Sequence, residues 1–276
     1  MSGKKLGALI LVGIMAMVNC KSTSADQDAD PEVSTKGSLK EEVVSSSFLS
    51  RNMSYYAYLP PDYSSQNNDF PILYLLHGYW GSYSDWPQNG MKTVLDNMIE
   101  NGSAEPMIVI MPDGIDSFYC NDYDDRNLKY ESFFVEEFIP EIEQKYRVKD
   151  GKTNHAIAGL SMGGYGATYH GMKYHNRYGF VYSMSGALDL NGNEPSVREI
   201  INNKTEQELA DLPVYGMDIG TEDFLYSNNV SFSQFLTSKS IPHEFQDRPG
   251  SHDWDFWMSS LPGVIAGYSD FLKSEN

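Results

Sequence analysis

His155-Ala156-Ile157-Ala158-Gly159-Leu160-Ser161-Met162-Gly163-Gly164-Tyr165-Gly166-Ala167 is the stretch on which the architecture of this chain turns. After His155 its first residues are apolar, as in a strand buried on both faces, and helical spacing takes over from Ser161 to Tyr174. Gly159, Ser161 and Gly163 form G-x-S-x-G where the two meet. A serine on a sharp strand-to-helix turn stands exposed at the carboxyl edge of a sheet, and glycines two positions either side remove Cβ atoms that would clash there. The helix N-terminus adds free N–H groups and a positive dipole end, both suited to charge developing on an oxygen. Ser161 is therefore the candidate nucleophile. Its strand-turn-helix context separates it from an ordinary serine in a Gly-rich turn.

The flanking sequence keeps alternating strand with helix. Strands are predicted at 41–48 and 52–59, closed by Pro60-Pro61, then at 72–76, 107–111, 155–158, 180–184, 214–219 and 243–246. Helices are predicted at 91–100, 133–146, 161–174, 197–212, 230–238 and 254–272. The alternation implies an α/β fold with a mostly parallel central sheet covered by helices on both faces.

A serine hydroxyl needs a histidine to take its proton, and that histidine needs a carboxylate to fix its tautomer. After the Ser161 helix only His243 and His252 remain. His252 lies in Pro249-Gly250-Ser251-His252-Asp253-Trp254, a loop between the last strand and last helix, whereas His243 opens a strand after Pro242 and suits a structural role. His170 and His175 lie on the serine's own helix, too local to return to it. For the acid, Asp223 sits just past the strand ending at Ile219, with adjacent Glu222 as the alternative; Asp218 is inside the strand. Met162, after the nucleophile, offers one amide for an oxyanion, and Tyr79, in Leu76-His77-Gly78-Tyr79-Trp80-Gly81, offers a second.

The N-terminus reads as an export signal: basic Lys4 and Lys5, then an apolar run from Leu6 to Val18, ending at Cys20. A signal that stops at a cysteine resembles that of bacterial lipoproteins, although Met17-Val18-Asn19 departs from the usual box, so plain secretion is the alternative. The expected organisation is a signal over residues 1–20, a polar tether over 21–44 and one domain over 45–276. The predicted location is the bacterial cell envelope or the outside, with Cys20 as the only membrane attachment and Cys120 then without a disulfide partner. A net charge of -18 in 276 residues, with no Lys/Arg stripe, repels phosphate backbones and argues against nucleic acid as a partner.

Asp122, Asp124 and Asp125 lack the glycine and glutamate of a calcium loop, and no residue set has zinc spacing, so neither metal nor cofactor is expected. Trp80, Tyr119 and Trp254 are candidate substrate-binding aromatics, with Tyr83, Trp86, Tyr123 and Trp257 nearby in sequence. For Trp86 and Trp257, core packing is the expectation.

Five motifs in order resemble the "Putative esterase" family of the α/β-hydrolase superfamily, which includes esterase D, tributyrin esterases and feruloyl esterases of carbohydrate esterase family 1. They are Leu75-Leu76-His77-Gly78 with Asp85-Trp86, Met111-Pro112-Asp113-Gly114 with Ser117-Phe118-Tyr119, Ala158 to Ala167, Gly220 to Phe224, and Gly250 to Trp254 with Trp257. The resemblance spans about residues 45–272. It implies the α/β-hydrolase order of serine, acid and histidine, hence Ser161, Asp223 and His252, with Tyr79 and Met162 as the oxyanion hole. It also implies hydrolysis of small-molecule or carbohydrate-linked esters. Siderophore or S-formylglutathione hydrolysis, and a non-catalytic glycan-binding surface protein, are the alternatives.

Overall fold

The computed structural model of the protein describes residues 36–275, apart from 125 and 191. The export signal, Cys20, most of the tether and Asp125 lie outside the described residues. Eight strands, β1 (Ser38–Ser46), β2 (Arg51–Leu59), β3 (Ile72–Leu76), β4 (Ile108–Pro112), β5 (His155–Leu160), β6 (Phe180–Met184), β7 (Val214–Gly220) and β8 (Glu244–Arg248), form one sheet in the order β1-β2-β4-β3-β5-β6-β7-β8. β1 and β2 run antiparallel to their neighbours; all other pairs are parallel.

Every residue of β3, β4 and β5 is buried, which the continuous apolar runs anticipate. Because side chains alternate across a strand, β3 feeds two cores. Ile72, Tyr74 and Leu76 pack with the helical run at 130–145, the helix Met162–Lys173 and the helix Tyr226–Ser238. Leu73 and Leu75 pack on the other face with the helices Met91–Glu100 and Trp254–Ser274. The crossover geometry brings the carboxyl ends of β3, β5, β7 and β8 to one rim.

The domain begins earlier than expected. Residues 38–40, read from their polar composition as tether, extend the strand expected from 41 and pair with β2 along their whole length. As the sheet's outer strand β1 buries only Val44 and Ser46 and leaves its charged residues to water, as edge strands commonly do. The helix expected over 197–212 is two short ones, Val197–Asn202 and Glu206–Ala210, the second started by Thr205 in a reciprocal capping box with Glu208.

Candidate active site

Ser161 sits between β5 and its helix at φ 53°, ψ −116°, a region that non-glycine residues rarely occupy. The turn is held from both sides: the Ser161 amide donates to the Met184 carbonyl at 2.9 Å, and the Ser161 carbonyl accepts from Ala187 at 2.9 Å. Glycines make room for it. A Cβ on Gly163 would lie 2.5 Å from the Leu76 carbonyl oxygen, and one on Gly159 2.5 Å from the Gly163 carbonyl.

The three side chains singled out from chain order meet at the rim. His252 Nε2 is 2.9 Å from Ser161 Oγ, and His252 Nδ1 is 2.7 Å from Asp223 Oδ2. A carboxylate can only accept, so Nδ1–H donates to Asp223 and the Nε2 lone pair faces the serine hydroxyl. Asp223 is 4 % exposed, and its Oδ1 accepts the Leu225 amide at 2.8 Å. The alternative acid, Glu222, is exposed and accepts from the Gly250 amide instead, fastening the acid-bearing loop to the histidine-bearing loop. Thr221 N–H to the Arg248 carbonyl and Glu222 N–H to the Gly250 carbonyl add to that seam, at 2.9 and 3.0 Å.

Met162 opens the helix, where its amide has no intrahelical acceptor. The loop after β3 comes close on the other side: a Cβ on Gly78 would be 3.4 Å from Ser161 Cβ. The Gly78 carbonyl accepts from His77 Nδ1 at 2.7 Å and from the Gly81 amide at 3.1 Å. Since the peptide unit is planar and trans, the Tyr79 N–H points opposite to that tethered carbonyl. His77 is held in turn by the Gly114 amide, which donates to Nε2 at 2.7 Å.

Ser161, His252, Tyr79 and Met162 line a cleft of about 830 Å³ walled by Trp80, Phe118, Tyr123, Leu190, Phe224, Trp254 and Trp257. Trp80 and Trp254 are thus where expected. Tyr119 is not: it is fully buried, and its hydroxyl donates to the His77 carbonyl at 3.0 Å. Consecutive positive φ values at Phe118 (52°) and Tyr119 (55°) reverse the chain, sending Phe118 to the cleft and Tyr119 inward. Trp86 is core, its indole donating to the Leu76 carbonyl at 3.1 Å. Trp257 is buried but also meets the His252 ring edge-on, at 5.0 Å between centroids. Phe224, which sequence reading gave no role, covers the other side of His252 at 4.6 Å; a large apolar residue in the polar turn Gly220-Thr221-Glu222-Asp223 was its only signal.

Other groups that could have been read as reactive or metal-binding are buried or have structural partners. His243 bonds to Ser233 and the Ile241 carbonyl. Burial pushes the His170 imidazole down to about 4 and the Cys120 thiol up to about 12, leaving neither reactive near neutrality. Asp122 and Asp124 pair with Lys129 and Arg126.

Comparison with known proteins adds to this geometry. The family model described as "Putative esterase" matches residues 46–268. An acetyl esterase of Caldicellulosiruptor saccharolyticus is 30% identical, with 80% of this chain and 94% of that one covered. A solved ferulic acid esterase is 32% identical with a TM-score of 0.78, covering 86% of this chain and 99% of its own. An S-formylglutathione hydrolase of Staphylococcus aureus shares the fold, with a TM-score of 0.68 at 20% identity over 84% of this chain and 99% of its own. On its matched length, its near relatives and its sheet, the chain belongs to the "Putative esterase" family of α/β-hydrolase fold and is a carboxylic ester hydrolase.

Proposed function

We propose that this esterase removes acetyl, feruloyl or other short acyl groups from carbohydrate-linked esters through an acyl-enzyme on Ser161. The observation that carries the reading is the unbroken line Asp223–His252–Ser161 opening into an aromatic cleft. In this reading His252 Nε2 takes the hydroxyl proton as Ser161 Oγ attacks the ester carbonyl. The electron pair moves to the carbonyl oxygen, which the Met162 and Tyr79 amides hold. Collapse expels the alcohol, which takes the proton from His252. Water, deprotonated by the same imidazole, then releases the acid and restores Ser161. A purely binding protein would have no use for that alignment.

Relatives named for acetyl and ferulic acid esters support the acyl side. Two exposed aromatics support a sugar on the leaving-group side. Trp80 is 88 % exposed and Phe224 75 %, on loops after β3 and β7, strands that lie either side of β5 and its serine. Trp80 also has φ 61°, an unfavourable conformation for a bulky residue, with its amide bonded to Asp116. An indole displayed at such expense suits the flat C–H face of a pyranose. The charge of -18 favours a neutral glycan over an acidic one. Lys4, Lys5, the Leu6–Val18 run and Cys20 support export to the cell envelope or beyond, with lipid on Cys20 as the membrane attachment.

The test uses the full chain with p-nitrophenyl acetate, methyl ferulate and an acetylated neutral oligosaccharide. The parent should hydrolyse at least one and take a fluorophosphonate label, and Ser161→Ala should do neither. Stacking that covers roughly 60 Å² at about 25 cal/mol/Å² amounts to about 1.5 kcal/mol. Trp80→Ala should therefore raise KM for the oligosaccharide about tenfold more than for p-nitrophenyl acetate. An unlabelled parent, or a fully active Ser161→Ala, rejects the acyl-enzyme reading.

A further inference from the structure

Asp218 lies inside β7, buried with 1 % of its surface exposed. Its Oδ2 accepts from Arg248 Nη1 at 2.7 Å. Arg248 closes β8, and its Nη2 donates to Ser260 Oγ at 2.6 Å and Ser259 Oγ at 3.1 Å. The guanidinium also stacks 4.0 Å above the Phe256 ring. One side chain thus joins β7, β8 and the opening turns of the helix Trp254–Ser274.

Only Pro249 to Asp253 separate β8 from that helix, and His252 is among them. Arg248 therefore ties the strand entering the loop to the helix leaving it. Its carboxylate partner stands on the strand that delivers Asp223. The two members of the hydrogen-bonded line behind Ser161, His252 and Asp223, both hang from this one crosslink.

Stability gives little reason for such a pair. Taking the Asp218 carboxylate out of water costs several kcal/mol, which Arg248, itself 30 % exposed, has to offset, and apolar residues of similar volume are often no worse. Burial raises the pKa of Asp218 from its ordinary value even though Arg248 opposes it. What apolar packing lacks is direction: a planar fork fixes several acceptors at set distances, and a catalytic imidazole must be held to about 0.5 Å. We infer that the Asp218–Arg248 pair is a positioning device for His252, holding its loop in register with Asp223. The inference rests on the reading of Ser161, His252 and Asp223 as the reacting set.

Two variants test it. Asp218→Leu combined with Arg248→Met replaces the pair by apolar residues and should melt near the parent. Its kcat on p-nitrophenyl acetate should fall about 10- to 100-fold while KM stays within about twofold. The low-field NMR resonance of the His252 Nδ1 proton should broaden or vanish. Arg248→Lys keeps a cation for Asp218 but has no fork to reach the helix serines, so the same loss is expected. A folded double variant with parental kcat and resonance overturns the inference, and so does Arg248→Lys with both retained if the double variant fails to fold. The resonance separates this idea from the proposed function. A parent that hydrolyses no ester but whose resonance depends on Arg248 sinks the function and leaves the positioning role; an active parent whose resonance ignores Arg248 does the reverse.

Discussion

His77, 1 % exposed, sets the direction of a backbone amide that it does not itself contain. With Nε2 accepting from Gly114, its proton sits on Nδ1 and goes to the Gly78 carbonyl, so the Tyr79 N–H on the far side of that peptide is fixed too. Loss of one oxyanion donor typically costs about 3 kcal/mol of barrier. His77→Ala should therefore lower kcat on p-nitrophenyl acetate by as much as about 100-fold with KM changed far less, in steady-state kinetics. The sequence marks Tyr79 as a candidate donor, because a glycine-containing turn after a buried strand is where a second amide is needed. It did not make His77 legible as the group that aims it, since that depends on a contact with Gly114, which lies 37 residues away. Tyr119 was misread for the same kind of reason: two left-handed residues in a loop decide which ring faces the cleft, and composition does not encode them.

Between β5 and its helix, the elbow depends on close approach of backbone to backbone. An alanine at an exposed helical glycine normally stabilises by about 0.5–1 kcal/mol. At Gly163 the sign should reverse, because the added carbon would meet the Leu76 and His77 carbonyl oxygens at 2.5 and 2.6 Å, and neither is a side chain that can turn aside. Gly163→Ala should destabilise by about 1–3 kcal/mol, read as a lower midpoint in urea, and should weaken fluorophosphonate labelling. Ile72–Leu76 and Phe180–Met184 were legible to the residue, because a short apolar run between turn signals leaves little choice of register, whereas β4 lies one residue later than expected and β5 runs two residues further. The first three residues of β1 were blurred into the tether because an edge strand carries polar and charged residues as a linker does. The break between Val197–Asn202 and Glu206–Ala210 was missed because the new start rests on Thr205 capping, which overrides an otherwise continuous helical pattern.

For the molecule as a whole, acid should act through a core histidine as well as through the surface. His170 is fully buried beside Phe134 and Tyr174, with its Nε2 bonded to the Tyr119 carbonyl at 2.7 Å. Burial holds its pKa near 4, against 6.5 in the unfolded chain; Glu131 pulls it back only in part. As pH falls through that window, the unfolded state binds the proton first, so stability declines between about 6.5 and 4 and this group takes nothing further below that. The integrated loss is about 3 kcal/mol. His170→Gln should flatten the fall of Tm across the window in thermal melts from pH 7 to pH 4.

β1 enters the sheet at Ser38, opposite Leu59 and level with the amino ends of β3 and β4, whereas Ser161 follows the carboxyl end of β5. Strands of five residues put those two edges roughly 17 Å apart. The opening strand therefore enters at the heel of the sheet while the cleft opens from the far edge, so a ligand reaching Ser161 meets the loops that follow β3 through β8 and never the antiparallel margin.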